Sequence, residues 1–278
     1  TIGALAWIIG GAIMLCCILA FSVMAQKYEK CNGLVDYAEA AVGKGYAYYM
    51  GWFSATIYLP AMTSVLAWVS ARYTLVFLQN CFPSLPLGSE INGSVCMALT
   101  LFYLCMSYAI NALSPKLAGK FQVSTTIIKL IPLFLMAIIG TIVGLTNGMT
   151  VQNFTTVVNE LPFSEGLFGA IVALAFAFEG WICATSIGKE LKDAKRNLPK
   201  ALLIGTIIVA IVYVVYYIGL AGAVDSATMM EGGEAGAKIA FTNIFGKFGG
   251  VAIFAFVVIS CWGTLNGLMM AVTRGLYD

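Results

Sequence analysis

The chain has no histidine among its 278 residues. That absence removes imidazole general bases, Ser-His-Asp triads and histidine metal sites at once. Charge is scarce too: Asp, Glu, Lys and Arg make up 10% of the residues, against roughly 25% in a soluble domain. Fifteen basic and 13 acidic residues leave a formal charge of +2, too weak a positive field to point to nucleic acid. The eight cysteines contain no CxxC pair. Cys16, Cys17, Cys96, Cys105, Cys183 and Cys261 lie in or at the edge of apolar runs, where a thiol behaves as a small hydrophobe. Only Cys31 and Cys81 fall in connectors, so neither a metal site, a cofactor site nor a disulfide framework is expected.

What the sequence has in abundance is apolar surface. Hydrophobic residues make up 60% of the chain and the mean hydropathy is +0.91, so most of the outer surface must face lipid. About 20 apolar residues cross a bilayer as a helix. Seven runs qualify: 5–23, 46–78, 95–110, 123–145, 167–187, 201–224 and 249–272. The expected fold is an all-α polytopic membrane protein, with residues 1–278 forming one transmembrane domain. The second run, at 33 residues, is longer than a bilayer needs, and Pro60 near its middle supplies a reason to bend. Pro199 is expected to open the sixth run, where its missing N–H is harmless. The segment LVDYAEAAVG (34–43) reads as a short interfacial helix. Thr1–Val23 lacks the basic head of a signal peptide, and the absence of a starting Met suggests a piece of a longer chain.

The connectors set an expected orientation. With Thr1 outside, segments 24–45, 111–122 and 188–200 and the tail are cytoplasmic, and they carry eleven basic residues against three on the outer side. This is the positive-inside bias of a protein in the cell membrane. The two N-x-S/T sequons, at Asn92 and Asn153, then fall outside.

Two ionisable residues lie deep in the runs. Lys129, in TTIIKLIPLF, is eight residues from Phe121, or about 12 Å up a helix. It either snorkels back to the interface or faces the bundle interior, where an ammonium can neutralise carbonyls or stand in for a metal ion. A charge at that depth costs about 2.5–3.5 kcal/mol or more if it faces lipid. Glu179, in LAFAFEGWICATSIG, is followed by Gly180 and crowded by Phe176, Phe178 and Trp181. One reading is an intact helix with Glu179 hydrogen-bonded to a neighbour. The other is a helix broken near 176–182, with freed carbonyls lining a cavity, as in the discontinuous helices of secondary transporters.

FAFEGW (176–181), followed by KELKDAKRNLPKA (189–201), resembles the sixth-helix signature of the amino acid–polyamine–organocation permeases, closest to the L-type and serine/threonine exchanger branch. Asp193-Ala194 replaces the usual Asn-Pro of that signature. TTIIKLIP (125–132) is similar to the family's fifth helix, GWFSATIYLPA (51–61) to its third, and SCWGTLNG (260–267) with Arg274 to its eighth. The Asn-Gly within CNGLVDY (31–37) stands where Gly-Gly is common. The resemblance implies a leucine-transporter-like fold of which this chain holds helices two to eight. It implies a substrate site at Phe176, Ala177, Phe178, Glu179, Gly180 and Trp181. There the substrate α-amino group meets the carbonyls of Phe176, Ala177 and Glu179, with the Phe176 ring as outer gate. It places Lys129, with Ser260, where sodium-coupled relatives hold sodium.

The function these features imply is sodium-independent amino-acid transport by alternating access, as permease or exchanger, with an amino acid and the lipid bilayer as partners. The heteromeric branch leaves an ancillary subunit open, and Cys81 pairing with another chain stays open with it. A seven-span receptor is the alternative, although the sixth run has no proline and the seventh no Asn-Pro pair. A membrane enzyme would want a histidine or paired carboxylates near one face, and neither is present.

Overall fold

The computed structural model describes residues 2–28, 33–156 and 162–275; the side chains of 187–190, 234, 274 and 275 fall outside that description. Lys189, Glu190 and Arg274 of the motifs, and Cys31 and Asn32 of the inner connector, therefore lie outside the described side chains. Seven helical segments are long and apolar enough to cross a membrane, and no strand occurs among the described residues.

The first span is α1 (Ile2–Lys27), followed by the short α2 (Leu34–Ala41) where the interfacial helix was expected. The second span is one helical rod, Lys44–Cys81, built from α3 (Lys44–Phe53), a π-helical turn (Ser54–Tyr58) and α4 (Leu59–Cys81). Pro60 explains the wide turn: it has no N–H to donate and its ring crowds the carbonyl four residues back, so the ladder widens just before it. Cys81 closes α4 and is exposed. The third span is α5 (Ser94–Leu113).

The fourth span starts earlier than hydropathy suggests. Ser114 caps α6 (Pro115–Leu135) by accepting a hydrogen bond from the Leu117 N–H at 3.3 Å, and Pro115 fills the first turn. A second π turn, Met136–Gly140, leads into α7 (Thr141–Thr146), and α8 (Met149–Thr155) follows. The fifth span is α9 (Phe163–Ala177), a turn, and a 3-10 segment Trp181–Glu190. The sixth is α10 (Ala194–Ala223). Pro199 does not open α10: the helix begins five residues earlier, after Asp193 in a left-handed conformation (φ 52°), and Pro199 lies inside it. The carbonyl of Asp193 takes the N–H groups of Arg196 and Asn197 at 3.0 and 2.9 Å, so the first turn is built by the loop itself. After α11 (Ser226–Gly232), the last span is α12 (Gly236–Gly275), longer than the expected run and kinked at Gly246, where φ is 71°.

α12 packs against α4, α5 and α6, while α1 packs against α9 and α10. Small residues let the first group approach closely: Ala67, Ser70 and Ala71 of α4 are fully buried beside Leu75, Cys96, Tyr103 and Leu265. Polar contacts tie the same helices. Asn266, with no exposed surface, accepts from the Asn111 amide at 2.9 Å and donates to the Ala118 carbonyl and to Gln122 at 3.2 and 3.1 Å. In lipid an unmet amide has no water to turn to, so this cluster fixes the register of α5, α6 and α12. Exposed side chains along the spans are large and apolar, among them Ile8, Leu101, Ile127, Val172 and Ile211.

Asn153 has a structural task instead of the exposed role its sequon suggests. Its amide donates to the carbonyls of Ala221 and Val224 at 2.6 and 2.8 Å, and its oxygen accepts from the N–H and hydroxyl of Ser226 at 2.8 and 2.9 Å. The side chain thus ties α8 to the end of α10 and the start of α11. Asn153→Ala is expected to cost about 2 kcal/mol or more, because several backbone groups lose their partner together. Thermal unfolding in detergent checks this, and intact-protein mass should show no glycan at Asn153.

Candidate functional site

The fifth span breaks within residues 178–180. α9 ends at Ala177, the Phe178 N–H still reaches the Leu174 carbonyl at 3.2 Å, and the Glu179 N–H folds back on the Phe176 carbonyl at 3.2 Å. Gly180 then takes φ 98°, a region glycine enters without strain, and its carbonyl accepts from the Cys183 N–H at 3.1 Å to start the 3-10 segment. The intact-helix reading of Glu179 does not hold.

The break faces three adjoining cavities of about 380, 350 and 290 Å³, and both Lys129 and Glu179 line all three. Each is of a size that takes a small ligand or part of one. Lys129 points inward and is half-buried, beside Cys261 and Ser260 of α12 in the largest cavity. Pro132, three residues on, lacks the N–H that would meet the Ile128 carbonyl, so the α6 ladder is already thinned next to the ammonium.

Phe176, Ala177 and Gly180 also line the largest cavity, and Phe176 is 59% exposed. Phe178 differs: it is 6% exposed, and its ring meets Trp7 and Tyr213 edge-on at 5.9 and 5.3 Å. Trp181 meets Phe21 edge-on at 4.8 Å, and Phe21 in turn meets Tyr37 of α2 at 5.7 Å. These two aromatics pin the ends of the break to α1 and the interfacial helix, and they reach only the 350 Å³ cavity. Two of the three carbonyls expected to meet a substrate are engaged. The Ala177 carbonyl accepts from the Tyr213 hydroxyl at 3.0 Å and keeps one lone pair for a further donor, while the Phe176 carbonyl takes the N–H groups of Phe178 and Glu179.

Sequence reasoning passed over two tyrosines. Tyr213 carries one of those bonds, and Tyr58, at the end of the first π turn, donates its hydroxyl to the Glu179 carboxylate. The signal was available in part, since a tyrosine deep in an apolar span needs a partner for its hydroxyl. Among the described residues no three His, Cys, Asp or Glu side chains gather as a metal site would require.

Residues 2–278 match the family model for amino acid permeases. The chain is 30% identical over 269 residues to the serine/threonine exchanger SteT of Bacillus subtilis (strain 168), covering 97% of this chain and 58% of that protein. It is 23% identical over 282 residues to the cystine/glutamate transporter of Homo sapiens, covering 98% of this chain and 52% of that protein. It is 26% identical over 234 residues to the aspartate-proton symporter of Bacillus subtilis (strain 168), covering 83% of this chain and 43% of the relative. The chain therefore spans about half the length of the curated relatives it matches. By a match that runs across nearly its whole length, the chain belongs to the amino acid permease family.

Proposed function

We propose that the protein moves amino acids by alternating access, as a sodium-independent permease or exchanger, with Phe176–Trp181 forming one wall of the substrate site. The observation that carries this reading is the break at 178–180, whose backbone lies against cavities that also hold Lys129. Carbonyls released from a helix attract the substrate ammonium, and a helix half with open N–H groups attracts its carboxylate. Phe176, the most exposed aromatic of the break, is the ring able to fold over a bound amino acid. The family assignment supports transport over the seven-span receptor. Thr1 outside, with segments 24–45, 111–122 and 188–200 cytoplasmic, follows from the basic-residue bias.

Lys129 and Ser260 line the same cavity, which supports reading the ammonium as the stand-in for a coupling cation. Two unit charges 4 Å apart repel by about 4 kcal/mol at the effective dielectric of a protein, so sodium has no favourable seat beside the ammonium. Uptake of a neutral amino acid by the full-length protein in proteoliposomes is expected to be equal in sodium and choline buffers. It should respond instead to amino acid trapped inside or to a proton gradient. A steep sodium dependence would remove Lys129 from the cation's place. Absence of uptake for neutral, acidic and cationic amino acids alike would remove the transport reading.

A further inference from the structure

Beyond the three cavities at the break lies a fourth, of about 200 Å³, lined by Val35 of α2, Ser54 and Tyr58 of the first π turn, Cys183 and Ser186 of the 3-10 segment, and Ala271 of α12. Cys183 and Ala271 also line one of the cavities that hold Lys129 and Glu179, so the wall between the two spaces is a single layer of side chains. Tyr58 faces only the fourth cavity and Glu179 only the central ones, and the hydrogen bond between their side chains bridges that wall. We propose that this bond is a latch across the route between the central cavities and the fourth, and that Tyr58 is the positioning residue that keeps it closed. The inference rests on the transport reading for its purpose, although the latch itself can be tested without transport.

Both partners are mounted on irregular backbone. Tyr58 ends a π turn, and Glu179 precedes a glycine with φ 98°. Such segments have already lost regular ladder bonds, so they move at lower cost than the helices on either side. They come from chain positions 121 residues apart, so opening the bond parts the second span from the fifth and not two turns of one helix. Glu179 is exposed to the central cavities, and its carboxylate can turn to another partner there. An ammonium in those cavities is a stronger partner for a carboxylate than a neutral phenol. The Lys129 ammonium shares these cavities without pairing with Glu179, so it is a substrate amine reaching the carboxylate itself that would draw Glu179 away from Tyr58 and clear the route to the fourth.

Cys261 supplies a native reporter, because it lines the largest central cavity and not the fourth. The full-length protein in vesicles is exposed to a charged, membrane-impermeant methanethiosulfonate only on the face that carries α2, and modification of Cys261 is followed by peptide mass spectrometry. Tyr58→Phe, which keeps the ring and deletes the hydroxyl, is expected to speed Cys261 modification about tenfold or more, the shift that loss of one hydrogen bond to a charged group implies. Glu179→Ala, which deletes the other partner, should speed it comparably and carries the test alone if Tyr58→Phe does not fold. Rates equal to the native protein in either folded variant overturn the latch. Cys261 modification proceeds whether or not amino acids are transported. Loss of uptake in the native protein would therefore sink the transport reading and leave the latch standing on its own measurement.

Discussion

Lys129→Ala is expected to abolish amino-acid uptake, by more than tenfold, while protein yield and thermal stability in detergent stay at or above the native level. The two halves of that expectation come from opposite sides of one balance. An ammonium at mid-membrane depth costs about 2.5–3.5 kcal/mol or more, so deleting it relieves the empty protein. Once a zwitterion enters, the ammonium becomes the counter-charge for carbonyls and carboxylates in a space poor in water. A unit-charge contact there is worth about 4 kcal/mol at 4 Å. Lys129 lines all three central cavities, so no other described side chain is placed to replace it. Lys129→Arg should fail nearly as badly, because the guanidinium is a wide planar fork and not a compact point charge. Uptake by the Ala variant at native rates in proteoliposomes would mean that the lysine serves only packing. A parallel fall in yield and uptake would place its role in folding.

The seven spans were legible because burial in lipid imposes one rule on every residue of a run, so hydropathy alone locates them. Their ends were less legible. Capped by Ser114, α6 starts at Pro115, eight residues before the apolar run at Val123, and α12 runs back through the Gly246 kink to Gly236. Caps and kinks depend on single hydrogen bonds and backbone angles that hydropathy averages away. The break at Gly180 could be read ahead because three local signals coincide: low helix propensity, a carboxylate at mid-depth, and flanking aromatics. Which aromatics face the cavity could not be read. Phe176 and Phe178 are two residues apart, and only the positions of Trp7 and Tyr213, far off in the chain, decide that Phe178 is the buried one. The Tyr58–Glu179 pair was hidden for the same reason, as was the use of Asn153 as a tie between helices. Pairings across 68 to 121 residues leave no mark on local pattern.

Gly219→Leu is expected to prevent folding altogether. The second π turn, Met136–Gly140, is pressed directly against α10: a Cβ on Gly219 would land on the Met136 carbonyl, and one on Gly222 on the Gly140 carbonyl. Gly140 and Gly144 meet the same seam from the other side, against the backbone of Gly219 and Gly222. Two backbones touch here with no side chain between them. That contact is possible only because all four positions are glycine, and it gives the widened turn's carbonyls Cα–H groups to lie against. Ordinary overpacking costs about 1–3 kcal/mol because side chains can shift. Here the clash is with main chain on both sides, next to the buried cluster of Met136, Ala223, Phe241 and Ile253, so relief requires parting α10 from the fourth span. Gly169→Ala is the matched control, since Gly169 is helical and has open space where its Cβ would go. It should leave stability unchanged or raise it by about 1 kcal/mol through lower backbone entropy in the unfolded state. A monodisperse, fully stable Gly219→Leu protein by size-exclusion chromatography and thermal melting would show that α10 and the fourth span do not touch as described. The broken helix and its cavities would then lose the rigid frame that positions Lys129 against Glu179.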